Sequence, residues 1–148
     1  MKNRLPLILI SIILVLAGVA GFMLSRSSFS KEMMKLEVIG PDEIYCGKED
    51  EYILKFKNNG NSTLEELRLN VEFPEHSIIA DQESNMVVVE ADKIEPLAPG
   101  REGTVKIKAR IFGKESESFP IKATLTYSPK GLTARYSSKS EKEVRIKD

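Results

Sequence analysis

Two side chains of the kinds that most often carry chemistry occur once each in this 148-residue chain, His76 and Cys46. A catalytic histidine needs a hydroxyl or thiol within hydrogen-bonding reach, and the adjacent Ser77 rarely reaches that geometry from the next position of a turn. A zinc site needs more ligands than one histidine and one cysteine supply. We therefore predict that His76 is a solvated loop residue, and that the chain is not an enzyme and binds no cofactor or metal.

Cys46 lies two positions after Ile44 and directly before Gly47. This position favours a small buried residue at the end of a strand. An exposed thiol that pairs with another molecule is the alternative. A single cysteine cannot form an internal disulfide, so the hydrophobic core must stabilise the domain unaided.

A row of basic residues is the candidate contact surface. Lys106, Lys108 and Arg110 alternate with apolar residues between positions 105 and 111. A strand with this period places all three on the face opposite the core. With Lys122, which we expect to lie nearby, they could contact an anionic envelope polymer or lipid. A solvated strand face is the alternative interpretation.

The charges of the chain are divided between its two halves. Residues 37–95 contain 15 acidic and 5 basic side chains, whereas residues 101–147 contain 12 basic and 5 acidic ones. Pairing of the two halves across a sheet would explain this division, and a dipolar surface that orients the domain on a partner is the alternative. From Ser25 onward the net charge is −2, which excludes a generally basic nucleic-acid binder.

The elements that must position these residues are strands. Polar and apolar residues alternate, a continuous apolar run covers 86–89, and turn signals recur about every ten residues. We predict an all-β, immunoglobulin-like antiparallel β-sandwich of about seven strands over residues 36–148, with its core face supplied by alternating positions. The alternating runs are 36–38, 52–56, 67–73, 105–111 and 121–127, followed by Val144 and Ile146.

The N-terminal region has a different character. Residues 5–24 are twenty positions without a charge, and a helix of that length spans about 30 Å, the thickness of a bilayer core. We predict a transmembrane signal anchor at 5–24, after a cytoplasmic tail at 1–4 and before a juxtamembrane stalk at 25–35. A cleaved signal peptide is the alternative, with Gly18 to Ala20 as the cleavage region.

The basic residues flanking the apolar segment are nearly balanced, so they do not decide its orientation. A short tail, one span and one β-domain are typical of a secreted module on a stalk. We therefore expect a single-pass membrane protein with a cytoplasmic N-terminus and an extracytoplasmic C-terminal domain.

Turn and strand signals recur through the ectodomain at Gly40-Pro41, Gly47–Glu49, Tyr52–Phe56, Asn58–Asn61, and Leu97–Gly100 followed by Val105–Ile107. In these signals the ectodomain resembles CARDB domains, the cell-adhesion-related Ig-like modules of bacterial and archaeal surface proteins. The resemblance implies an Ig-like sandwich without catalytic residues, used as a surface, adhesion or spacer module.

Two functions from different classes follow. The first is a membrane-anchored, non-catalytic binding, adhesion or structural spacer module at the cell envelope, with an envelope polymer or protein as partner. The second is a single-span auxiliary subunit of a larger membrane transport or secretion complex. Small residues at Gly18 and Gly21 would let its helix approach another helix closely.

Overall fold

The structure is a computed structural model that describes residues 33–147. The predicted tail, transmembrane helix and most of the predicted stalk lie outside these residues. No helix within 33–147 is long and apolar enough to cross a membrane.

Residues 33–147 form ten strands and one 3₁₀ turn at Ala91–Lys93. The strands are β1 (Met34–Ile39), β2 (Glu43–Tyr45), β3 (Glu49–Asn58), β4 (Leu64–Glu72), β5 (Ile78–Ile79), β6 (Gln82–Glu83), β7 (Met86–Val89), β8 (Glu102–Arg110), β9 (Ser118–Pro129) and β10 (Tyr136–Lys147).

The strands make two five-stranded sheets, which confirms the predicted all-β sandwich. The first sheet has the order β1-β3-β8-β5-β6, and the second sheet has the order β2-β10-β9-β4-β7. The expected strand number and orientation need correction. Seven strands have four or more residues, but β2, β5 and β6 have only two or three. The β2–β10 pair is parallel, because the chain changes sheets after β1.

The core lies between one apolar face of each sheet. The predicted alternation is confirmed in β3, where Tyr52, Leu54 and Phe56 are at most 2% exposed. The ring of Tyr52 contacts that of Phe73 edge to face, with centroids 5.5 Å apart, and so joins the two sheets. Burial, with the charge of Asp50 adding to it, raises the pKa of the Tyr52 hydroxyl well above its usual value.

A bulge keeps strand β4 in contact with the core. The register with β9 shifts between Glu65 and Arg68, and Glu66 has a φ of 53°. This extra residue lets Leu64 and Leu67 both be fully buried although they are three positions apart.

The domain begins earlier than the sequence predicts. Strand β1 starts at Met34, two residues before the expected boundary at Leu36. Met33 and Met34 are buried in the core, so the end of the predicted stalk belongs to the β-domain.

The segment 58–61, whose Asn-Gly pair predicts a tight turn with positive φ angles, has a different geometry. None of its residues has a positive φ. Strands β3 and β4 belong to different sheets, so the segment crosses between sheets and closes no hairpin. At Pro99-Gly100 the turn prediction is confirmed, because Gly100 has a φ of 75° and the Arg101 N–H donates to the Ala98 carbonyl at 3.0 Å.

A buried amide holds the crossing in place. The side chain of Asn58 is fully buried and donates to the carbonyl oxygens of Ser62 and Leu97, both at 2.8 Å. Its Oδ1 accepts the Gly60 N–H at 2.9 Å. One side chain thereby satisfies three backbone groups of the crossing and of the segment before β8.

Replacing Asn58 by Ala should lower the free energy of unfolding by about 2–4 kcal/mol, because three backbone groups each lose a buried hydrogen bond. Chemical denaturation followed by circular dichroism measures this loss as a lower midpoint at an unchanged slope. The adjacent Asn59 is exposed, and N59A is the matched control with an expected change of less than about 0.5 kcal/mol. Equal effects of N58A and N59A would contradict the assigned role.

Candidate interaction surface

The predicted basic row lies on strand β8 of the first sheet. Lys106 and Lys108 are exposed, and Arg110 is partly exposed at the end of the strand. Ile107 and Ala109 between them are buried, which confirms the predicted register of this strand.

Acidic residues of β3 accompany the basic row along its length. Lys106 Nζ lies 3.6 Å from a Glu51 oxygen, and Lys108 Nζ lies 3.9 Å from a Glu49 oxygen. The guanidinium of Arg110 lies 3.5 Å from Glu49 and 3.8 Å from Asp81. The acidic and basic halves of the chain therefore pair across the sheet. This is the first of the two explanations that the division of charge in the sequence allows. The row presents little unbalanced positive charge to an anionic partner.

The same arrangement continues toward the other end of the first sheet. Lys55 and Lys57 of β3 both lie within 4 Å of the Glu102 carboxylate on β8. The side chains of Lys55, Lys57 and Glu102 are each about half exposed, so their ion pairs contribute little stability. Their main consequence is that the outer face of the first sheet neutralises its own charge.

Lys122 does not join this row. It lies on β9 in the middle of the second sheet, on the opposite side of the sandwich from β8. The expected grouping of Lys122 with Lys106, Lys108 and Arg110 is therefore wrong, because β8 and β9 follow each other in the chain but belong to different sheets.

In the second sheet, Lys122 has an acidic neighbour on each side. Glu72 of β4 and Glu141 of β10 are its direct cross-strand partners. Lys139 lies one row further along β10, opposite Thr124. Among residues 33–147, none of these four charged side chains forms an ion pair within 4.0 Å.

These charges surround an open concavity of about 530 Å³ on the outer face of the second sheet. We call the outward side chains that form it the second-sheet surface. At its rim, on strand β7, Met86 is 52% exposed and Val88 is 41% exposed. The second-sheet surface comprises Asn70, Glu72, Met86, Lys122, Thr124, Lys139 and Glu141.

The single histidine lies elsewhere, in the exposed loop after β4. Its Nδ1–H donates to Glu83 at 2.9 Å, and this hydrogen bond raises the pKa of His76, with the charge of Glu83 adding to the effect. The Ser77 hydroxyl is buried and donates to the Pro74 carbonyl at 2.7 Å. His76 and Ser77 therefore do not form a nucleophile–base pair, and the solvated position predicted for His76 is confirmed.

The predicted burial of Cys46 is wrong. Its side chain is exposed and its thiol is free. Ile44 is buried and Tyr45 points outward, but the chain leaves the sheet before Cys46 can return to the core. Gly47, with a φ of 73°, makes this turn.

No group of three or more His, Cys, Asp or Glu side chains within residues 33–147 is placed to hold a metal ion. The side chains of the second-sheet surface are instead of the kinds that bind another molecule without catalysing a reaction. Charges of both signs that are unpaired within the described part of the chain lie beside one amide, one hydroxyl and two exposed apolar side chains, an arrangement suited to contact with a surface of mixed charge.

The sequence pattern predicts that Lys122 points outward, but it does not predict the surface around it. The outward positions of β4, β9 and β10 follow from the period-two pattern, so Asn70, Thr124 and Glu141 were each identifiable as outward side chains. Their grouping required the order of strands in the sheet, which alternation does not contain.

The variant K106Q/K108Q/R110Q should remain folded, with the free energy of unfolding lowered by no more than about 1–2 kcal/mol, since exposed ion pairs contribute little. Binding to anionic lipid vesicles should change little, because Glu49 and Glu51 already offset the row. The variant E51K/K106E exchanges the two charges of one ion pair without changing the net charge, and it is the control for the position of the charges. Unfolding of the triple variant would contradict the register, and a loss of vesicle binding with a weaker salt dependence would identify the row as a contact surface.

No protein-family model matches the chain, and no curated protein matches it. Solved structures with the same fold do match. A CARDB domain from Pyrococcus furiosus, solved in complex with di-metal ions, is 18% identical, with 80% of this chain and 92% of that chain covered and a TM-score of 0.51.

Two further structures extend the comparison. A cohesin module of a Clostridium perfringens family 33 glycoside hydrolase is 16% identical, with 78% of this chain and 97% of that chain covered and a TM-score of 0.55. AvmM, which catalyses macrocyclization in alchivemycin A biosynthesis, is 14% identical, with 80% and 91% covered and a TM-score of 0.55.

Identities this low establish the fold alone, and the fold supports both recognition modules and an enzyme. The chain shares its two-sheet β-sandwich with CARDB and cohesin modules, which confirms at the level of the fold the resemblance seen in its sequence.

Proposed function

We propose that this chain is a membrane-anchored, extracytoplasmic module that binds a partner protein at the cell envelope and performs no catalysis. The observation that carries the proposal is the contrast between the outer face of the first sheet and the concavity on the second. The first sheet pairs its own charges across β3 and β8. Around the concavity, Lys122, Lys139, Glu72 and Glu141 have no ion-pair partner among residues 33–147, and the ion pairs of the second sheet, such as Arg68–Glu90, join side chains that do not line it.

The character of this surface favours a protein partner over an anionic polymer. Its charges are of both signs, and Met86 and Val88 add exposed apolar area at the rim. Protein interfaces combine apolar contacts with scattered polar and charged groups in this way. A uniformly anionic polymer would meet Glu72 and Glu141 as repulsive neighbours.

The proposed location has separate support. The uncharged segment at 5–24 is long enough to span a bilayer. The auxiliary-subunit alternative differs in requiring the sequence of the span itself.

Cys46 offers a direct test of location, because it is the only cysteine and its thiol is exposed. A maleimide that cannot cross membranes should label Cys46 on intact cells, and the labelled chain should stay in the membrane fraction through an alkaline carbonate wash. C46S is the background control. Labelling only after permeabilisation would place the domain inside, and recovery of a shortened soluble chain would support the signal-peptide alternative.

A photo-crosslinking amino acid at Thr124 tests the binding surface. Thr124 points outward from the centre of the second sheet, and Thr104 points outward from the first sheet as the matched control. We expect a protein adduct from position 124 and none from position 104, with the adduct preserved when a generic anchor replaces residues 5–24. Equal yields at both positions would contradict the proposed surface. Loss of the adduct on replacement of the span would favour the auxiliary-subunit alternative.

A further inference from the structure

Three of the four sheet edges are protected against pairing with another strand. Strand β1 carries Lys35 and Glu37, and β6 is only two residues long. At the β2 edge, the short β2 covers the end of β10. The rest of β10 lies against β1, where the Ser138 hydroxyl donates to the Met34 carbonyl at 3.1 Å. Charge, shortness and covering are the usual devices that prevent edge-to-edge association.

Among residues 33–147, strand β7 lacks these devices along its length. Its sequence, Met86-Val87-Val88-Val89, has no charge and no proline. Of the described strands only β4 pairs with it, on one side and in a register without a bulge. Met86 and Val88 also expose apolar side chains beside this edge.

The backbone groups that face away from β4 can be assigned. The Phe73 N–H donates to the Asn85 carbonyl at 2.7 Å, and hydrogen bonding alternates along an antiparallel pair. Val87 and Val89 therefore bond to β4, whereas the N–H and C=O groups of Met86 and Val88 point toward the open edge.

A serine occupies part of this edge. The hydroxyl of Ser84 accepts the Met86 N–H at 3.3 Å and donates to the Met86 carbonyl at 3.0 Å. This contact agrees with the outward direction assigned to the Met86 backbone. It also competes with any strand that approaches β7.

We propose that β7 is the contact between two copies of this chain, paired antiparallel about a two-fold axis. The free backbone groups define the register: Met86 lies opposite Val88 of the other copy, and the two Val87 residues face each other at the centre. This register forms four hydrogen bonds between the copies and joins the two second sheets into one continuous sheet.

A second copy fits this edge for reasons of charge and spacing. The paired segment is uncharged, so no like charges oppose one another along it. In the same register Ser84 lies opposite Glu90 of the other copy, and that carboxylate is already paired with Arg68 of its own chain at 2.9 Å. An isologous contact of this kind closes on itself and does not propagate into a filament.

Cysteine cross-linking of the full chain, purified in detergent micelles, tests the register. In a C46S background, V87C should form a disulfide dimer on mild oxidation, because residues opposite at a non-hydrogen-bonded position bring their Cα atoms to about 4.5 Å, a separation that a disulfide spans. C46S with T104C, on the opposite outer face, controls for two chains that share a micelle. Equal dimer yields from V87C and T104C would overturn the proposal.

Substitutions of Ser84 and of Val88 should change the yield of the V87C dimer in opposite directions. S84A removes the competing hydroxyl and should raise the V87C dimer yield about threefold. V88K adds a charge to the open edge and should lower it by a similar factor. No response to either change, or a decrease with S84A, would overturn the proposal.

Hydrogen exchange of the unmodified chain gives a measurement free of substitutions. The amides of Met86 and Val88 should exchange more slowly as the protein concentration rises, because pairing protects them. Exchange at these two amides that is independent of concentration across the range in which V87C forms its dimer would overturn the proposal.

Discussion

The stacking of two apolar sheet faces is the constraint on which the rest of this molecule depends. The chain has one cysteine, and it is exposed, so no internal disulfide supports the domain. Contacts such as the edge-to-face pair of Tyr52 and Phe73 must hold the sheets together. Because one face of every long strand serves this packing, recognition is left to the outer faces, the loops and the sheet edges.

The outer face of the first sheet and the concavity on the second sheet use their charges differently, and the reason is which strands lie side by side. Acidic β3 pairs with basic β8, so Glu49 and Glu51 meet Lys106, Lys108 and Arg110 across one pair of strands. In the second sheet a basic residue of β9 lies between acidic residues of β4 and β10, without closing an ion pair to either. The first arrangement neutralises a surface, and the second leaves polar groups available to another molecule.

The sequence predicts which side chains of a strand point inward more reliably than it predicts which strands lie next to each other in a sheet. Alternation placed Tyr52, Leu54, Ile107 and Ala109 correctly, because the inward positions of a strand depend only on local period. The position of Lys122 depends on which sheet β9 joins, and that is decided by long-range pairing with β4 and β10. The alternating pattern also did not predict the local backbone conformation at two sites. Cys46 is exposed because Gly47 turns the chain away from the core. The segment 58–61 crosses between sheets without the positive φ angles that its Asn-Gly pair predicts.

The second sheet differs at its two edges, and this difference bears on how a partner can approach. At one edge the chain changes sheets between β1 and β2, and this crossing covers β10. At the other edge β7 ends the sheet with an uncharged strand beside the second-sheet surface. Pairing of two copies through β7 would place their second-sheet surfaces side by side on one continuous sheet. Four hydrogen bonds make a small contact, so such a pair would gain most where the proposed membrane anchor raises the local concentration of chains.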